Sequence, residues 1–234
     1  MSKYNDPFEI AFFDYLDGNS GNLIVNPDKG DLEEVPVSYF FRNFNQMPEM
    51  EKIAIENCTG SVLDIGAGSG CHSLVLQGKL MDVTALEIKE GLIEVMKKQG
   101  VRKTILADIM TYNAGTFDTL LMLMNGAGIM GTLDKLGSFL KHARTLLNPG
   151  GQIILDSSDL LYLYEEDDGS YRINMNESYY GEIIYQVSYK NVAGEPFRWL
   201  FVDFSTLEQI AAEAGFVTDL LFEGDHFDYL VRLT

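Results

Sequence analysis

The 234-residue chain has only two cysteines, Cys58 and Cys71. They make no disulfide framework, which excludes the small stapled secreted scaffolds and fits a reducing, cytoplasmic setting. Basic charge is scarce as well: 17 Lys and Arg stand against 35 Asp and Glu, for a formal charge of −18. A binder of duplex or RNA must neutralise phosphates with clustered cations. The one modest cluster, Lys97-Lys98 to Arg102-Lys103, falls at a predicted helix end, where it complements the helix C-terminus. Nucleic acid is therefore a disfavoured partner. Long apolar runs are missing too; those present are strand-length, far below the roughly 20 residues of a membrane span, so no membrane partner is expected. Asp6, Glu9, Asp14 and Asp17 crowd the N-terminus with no basic n-region, and no secretory leader is expected. The acidic knot Glu165-Glu166-Asp167-Asp168 has no EF-hand spacing and reads as a solvated loop tip, so no metal site is expected.

What is present is alternation. Strand-like and helix-like segments follow one another at 61–65, 71–78, 81–87, 90–99, 103–107, 117–123, 132–147 and 151–156. Such alternation implies a parallel sheet with helices on both faces. The run Phe117 to Leu123 is too apolar to alternate, as expected of a strand buried on both sides. Leu133, Leu136, Leu140, Ala143 and Leu147 recur at helical steps. Pro149 and the glycines after it are read as the stop of that helix. Further on, Ser205 with Glu208 forms a predicted capping box. Phe216 to Glu223 and Phe227 to Leu233 are predicted to form a closing hairpin around Gly224-Asp225.

The most specific segment is Ser61-Val62-Leu63-Asp64-Ile65-Gly66-Ala67-Gly68-Ser69-Gly70-Cys71-His72. It reads as a buried strand, a glycine turn and a helix start. A turn of this kind at the carboxyl end of a parallel strand is where open α/β sheets bind ligands. The dinucleotide fingerprint is G-x-G-x-x-G. Here the spacing is Asp-x-Gly-x-Gly-x-Gly, and Cys71 stands where that fingerprint wants its third glycine. Two further strands end in acids, Met81 to Glu87 and Lys103 to Asp108. Glu87, about twenty residues past the turn, is placed to accept from a ribose diol; the other reading of it is a solvated helix-capping acid.

Together these motifs resemble the class I methyltransferases dependent on S-adenosylmethionine (SAM), in the family's order from about residue 61 to 156. The Leu-Leu-x-Pro-Gly-Gly run at 146–151 is a frequent feature of that family. The resemblance implies an α/β fold: a three-layer Rossmann-like sheet, mostly parallel with an antiparallel last strand, helices on both faces, and a small antiparallel insertion after strand five. It implies SAM as cofactor and S-adenosylhomocysteine (SAH) as product. It implies cofactor contacts at Asp64, Gly66, Ala67, Gly68, Gly70, Glu87 and Ile88. Asp108 and the Ile109 N–H take the adenine side, with an Asx turn as the other reading of Asp108.

Residues 1–60 are read as a lid segment with a short helix near 6–17, a loop, and a lead-in helix from about 48. Residues 61–234 are read as the cofactor-binding domain, with the insertion at about 160–203. In the lid, Tyr39 and Arg42 are candidates for the sulfonium and the methionine carboxylate; the alternative is an apolar staple with Arg42 solvated. Asn125, at the end of strand four, is the candidate catalytic contact to the acceptor. The family's Asn/Asp-Pro-Pro-aromatic motif is replaced here by Asn125-Gly126-Ala127-Gly128, which puts methylation of DNA bases or glutamine in doubt. If the acceptor must lose a proton, the candidate bases are His72, Asp156, Asp159 and Tyr162, Tyr164, Tyr179 and Tyr180. The expected activity is methyl transfer to oxygen or nitrogen of a small molecule, with a protein or RNA acceptor, or SAM binding without transfer, as alternatives.

Overall fold

The computed structural model describes residues 4–174 and 176–234. In chain order the elements are α1 (Pro7–Leu16), β1 (Asn22–Pro27), β2 (Glu33–Pro36), α2 (Glu49–Asn57), β3 (Ser61–Ile65), α3 (Cys71–Gly78), β4 (Asp82–Glu87), α4 (Glu90–Gln99), β5 (Thr104–Leu106), β6 (Phe117–Met122), α5 (Leu133–Ala143), β7 (Leu147–Ser158), β8 (Glu182–Tyr189), β9 (Val192–Ala193), β10 (Phe197–Leu200), α6 (Phe204–Glu213), β11 (Thr218–Glu223) and β12 (Asp228–Leu233). Short 3-10 turns at Val37–Phe41 and Gly126–Met130 join them where the site forms.

Seven strands make the main sheet in the order β11-β12-β7-β6-β3-β4-β5. The strands from β7 to β5 are parallel, and β12 returns antiparallel beside β7. The fold is thus the mostly parallel Rossmann-like sheet that the alternation implies. β6 shows why its sequence is so apolar. Leu120 and Met122 pack with α5 and α6, while Leu121 and Leu123 pack on the opposite side with α2 and α3. Burial on both faces leaves no solvent side for polar residues.

Three local expectations are corrected. The helix before β7 ends at Ala143 rather than at Pro149. Pro149 to Gly151 belong to an irregular start of β7, where the pairing with β6 shifts register. The last helix begins one residue past Asp203, whose Oδ1 accepts from the Thr206 N–H at 2.9 Å. Ser205 is not the cap: its hydroxyl donates to Asp203 Oδ1 at 2.7 Å, and a carboxylate is the better acceptor for an N-terminal N–H. The residues between α1 and α2 are not a plain loop, because they contribute β1 and β2.

β1 and β2 belong to a second, antiparallel sheet of order β10-β8-β1-β2, with β9 against β8. Val25 faces Val187 across the β1–β8 pair, and Phe197 faces Tyr185 across β10–β8. The N-terminal segment and the insertion after β7 therefore build one structure. Along β8, Ile183, Val187 and Tyr189 are buried while Ile184 and Gln186 are exposed. That period of two gives the sheet an apolar inner face.

Candidate active site

The site starts at the turn after β3. Gly66, Gly68 and Gly70 have φ of +70°, +55° and +84°, the left-handed region that glycine enters without steric cost. At Gly66 a Cβ would lie 2.5 Å from Ile129 Cδ1, so a side chain there would displace the tip of Ile129 as well as strain the backbone. The N–H groups of Gly66 and Ala67 donate to Leu86 O, which fixes the turn against the end of β4.

Glu87, at that end, is buried. Its Oε2 accepts from the Gly68 N–H at 3.1 Å, and its Oε1 from the N–H groups of Ile88 at 2.7 Å and Lys89 at 3.2 Å. Burial raises its pKa, opposed by these three donors. The carboxylate thus braces the turn and still lines the cavity above it. Asp64 is buried as well and accepts from the Ser73 hydroxyl at 2.6 Å; burial pushes its pKa up. That bond ties β3 to α3.

The N-terminal segment closes over the turn. Glu9 on α1 accepts from the Gly91 N–H at 2.7 Å, capping α4 from outside. Asp6 pairs with Lys89, and the Ser69 hydroxyl donates to Phe40 O. Between the turn, this segment and the second sheet lies a cavity of about 890 Å³. Its floor is Asp64 to Ser69 with Glu87 and Ile88. Its walls are Phe8, Phe12 and Phe40 on one side and Val25, Tyr185, Val187, Phe197 and Trp199 on the other, with Leu123, Met124 and Ile129 between them.

Of the residues singled out from sequence, Asp64, Gly66, Ala67, Gly68, His72, Glu87 and Ile88 meet in this cavity. Gly70 stands behind it as the left-handed N-cap of α3. Asp108 is exposed just past β5, and its Oδ1 accepts from the Met110 N–H at 2.9 Å, an Asx turn. Ile109 packs into the main core. Arg42 does not reach the cavity. It is buried with Nη2 at 2.5 Å from Glu51 Oε1, and its guanidinium lies 3.5 Å from the centroid of the Tyr39 ring. It is neither solvated nor free for a ligand carboxylate, because Glu51 already supplies one; Tyr39 is likewise occupied with a cation inside the protein.

Asn125 is similarly committed. Its Nδ2 donates to Leu200 O at 3.0 Å, and its Oδ1 accepts from the Ser157 hydroxyl at 3.2 Å. The side chain brackets β7 to the second sheet with one of its two amide N–H donors and its carbonyl oxygen. Met124 and Asn125 both have positive φ, 67° and 55°, so the end of β6 is a strained elbow of the sort found at ligand sites. Beneath it, Asp156 accepts from the N–H groups of Asn125 and Gly126, each at 2.8 Å. Burial pushes Asp156 up to about 6. His72 is buried with Nε2 2.9 Å from Glu51 Oε2. Burial lowers its pKa, but Cys71 and Glu51 outweigh that and hold it well above the usual imidazole value.

Sequence reasoning missed the wall from the second sheet. Tyr185, Phe197 and Trp199 lie in a stretch whose partner strand is some 160 residues earlier, and no local pattern links the two.

A methyltransferase-domain family model matches residues 63–155. The chain is 43% identical to a SAM-dependent methyltransferase from Bacteroides fragilis whose crystal structure contains SAH, with a TM-score of 0.91 over 100% of this chain and 96% of that one. The chain belongs to the SAM-dependent methyltransferases. At the level of fold alone it is also similar to a SAM-dependent methyltransferase from Clostridium acetobutylicum (15% identity, TM-score 0.59, 81% of this chain and 93% of that one). The sugar N-methyltransferase KedS8 from Streptoalloteichus is a further fold relative (14% identity, TM-score 0.53, 82% and 87%). Among curated proteins none matches. The cofactor is therefore SAM, with SAH as product. The cleft fits it: Gly66, Ala67 and Gly68 of the turn line the cavity together with the Glu87 carboxylate. The cavity volume also lies within the range of small-molecule sites.

Proposed function

We propose that this methyltransferase acts on an oxygen or nitrogen of a small-molecule acceptor. The observation that carries the proposal is the site itself, a half-open pocket lined mostly by apolar side chains. The glycine turn and Glu87 form the floor of one cavity, and the N-terminal helix and second sheet roof it. A pocket of this size and lining suits a small molecule, and the charge of −18 opposes a phosphate backbone.

In this reading Glu87 holds the ribose, and the glycine turn lets the amino-acid portion of the cofactor approach the backbone closely. Ile88 covers the adenosine, and Asp108 with the Ile109 N–H stands at its adenine end, beside Glu87 across the β4–β5 pair. The segment from α1 to Phe41 serves as the lid. The cofactor brings both the methyl group and its leaving group. The chain's own work is to align the acceptor for in-line displacement and to exclude water. The polar groups nearest the elbow are all engaged. Asp156 holds two N–H groups, Asn125 holds Leu200 and Ser157, and His72 holds Glu51. We therefore assign no resident general base, which suits an acceptor with a lone pair available before its proton leaves.

The test is calorimetric titration of SAM and SAH, followed by transfer of labelled methyl to pooled small nucleophiles and, in parallel, to protein and RNA. Label in the small-molecule fraction is expected. Label confined to polymer would overturn the proposal.

A further inference from the structure

The acceptor half of the cavity has a chemistry of its own. β8 and β10 place Tyr185, Phe197 and Trp199 on the face that lines it. Phe197 makes edge contacts with both neighbours, its centroid 6.1 Å from Tyr185 and 6.0 Å from Trp199. Trp199 is wedged against the turn after β6: a Cβ on Gly128 would lie 2.0 Å from its Nε1. The aromatic wall therefore touches the turn that follows β6.

Two donors in this wall are unused. Among the described residues neither the Tyr185 hydroxyl nor the Trp199 indole N–H has a hydrogen-bond partner, whereas Tyr179, Tyr180 and Tyr229 all donate within the protein. An indole N–H only donates, and a phenol held in a mostly apolar cavity stays protonated and can donate. The charged groups around the cavity are mainly acids. Asp64 and Glu87 are satisfied, Asp6 is paired with Lys89, and exposed Glu195 at the rim has no partner among the described residues. A negative acceptor would meet that charge without a free cation to receive it.

We infer that the acceptor is a neutral, flat aromatic molecule bearing a hydrogen-bond-accepting oxygen or nitrogen, stacked among Tyr185, Phe197 and Trp199 and held by the two free donors. This rests on the proposal of a small-molecule methyltransferase and names its substrate class. Edge-to-face contacts reward an aromatic ring over a saturated one of equal size. A donor left unpaired by a ligand without an acceptor atom is a loss.

The test uses three matched probes on the SAH-loaded protein: benzamide, cyclohexanecarboxamide and benzoate. Trp199 is the only tryptophan in the chain, so its fluorescence reports the wall directly, and calorimetry with SAH gives a separate readout of the cofactor site. Benzamide is expected to quench Trp199 and to bind about tenfold more tightly than either of the others. Tyr185→Phe, which keeps the ring and removes the hydroxyl, should weaken benzamide about five- to tenfold and leave SAH unchanged. SAH binding with equal affinity for the three probes, or with no benzamide binding, would overturn the substrate class while the methyltransferase reading stands. Failure of the folded protein to bind SAH would remove both.

Discussion

Glu51 Oε2 lies 2.9 Å from His72 Nε2, while Glu51 Oε1 lies 2.5 Å from Arg42 Nη2. One buried carboxylate on α2 thus joins the lid segment to the first turn of α3, immediately behind the glycine turn. The lid is held by charge as well as by its aromatic packing.

Glu51→Gln should therefore destabilise the protein strongly, by about 3–5 kcal/mol, because two buried cations lose their counter-charge. The pH dependence has a definite sign. Burial opposes ionisation of Glu51, but His72 and Arg42 bring its pKa below the ordinary 4.5. Its contribution is present above 4.5 and is lost as pH falls through the folded value. His72 is raised above 6.5, so its contribution is present below 6.5 and is lost as pH rises through its folded value. The difference in unfolding free energy between wild type and variant should peak between pH 4.5 and 6.5. Denaturant melts across pH 4–9 measure it, and a pH-independent difference would show that the triad carries no net charge coupling.

Glu87 makes a contrasting case, since the role proposed for it lies at the ligand. Glu87→Ala removes the acceptor for three N–H groups, Gly68 among them, and the carboxylate proposed to hold the ribose diol. Hydrogen bonds to a charged group contribute about 1.5–3 kcal/mol each. SAH affinity should fall by at least about a hundredfold. Glu87→Gln keeps one accepting oxygen and should lose less. Calorimetry on both variants, with circular dichroism as the control for folding, decides the matter. Equal SAH affinity in wild type and Glu87→Ala would take Glu87 out of the site.

The sheet and its glycine turn were legible because each is encoded locally. Ser61 to His72 carries strand, turn and helix start in one run, and β6 announces its central place by being apolar throughout. The roof was not legible, because β1 makes sense only against β8. Asn22-Leu-Ile-Val-Asn-Pro is short, edged by glycine and proline, and gains its strand identity from a partner far along the chain. The internal partners of Arg42 and Asn125 were not legible for a related reason. Each is a candidate ligand contact by position, and each also holds a partner inside the protein, Glu51 for one and Leu200 and Ser157 for the other, that spacing cannot reveal.

The Asn125 bracket gives a prediction opposed to a catalytic role. Asn125→Ala loses two side-chain hydrogen bonds and places alanine at φ 55°. The cost should be about 2–4 kcal/mol of stability. Asn125→Gly loses the same bonds without the backbone penalty and should be the more stable of the two. Chemical denaturation of both variants tests the order. Full stability of Asn125→Ala with a large fall in turnover would restore Asn125 as a contact to the acceptor.

Gly128 links the strand end to the aromatic wall, and it can be altered without touching the floor of the site. Its would-be Cβ falls 2.0 Å from Trp199 Nε1 and 2.1 Å from Cε2. These atoms belong to a rigid ring, so in Gly128→Ala the whole indole must swing or the second sheet must lift. Overpacking of this kind costs about 1–3 kcal/mol. The indole should move toward water and its emission to longer wavelength, while SAH affinity, proposed to rest on the turn and Glu87, stays close to wild type. Benzamide affinity should fall in step with the spectral change. An unshifted emission spectrum together with unaltered benzamide binding would mean that Trp199 does not rest on Gly128, and that the wall is positioned by the β8–β10 pair alone.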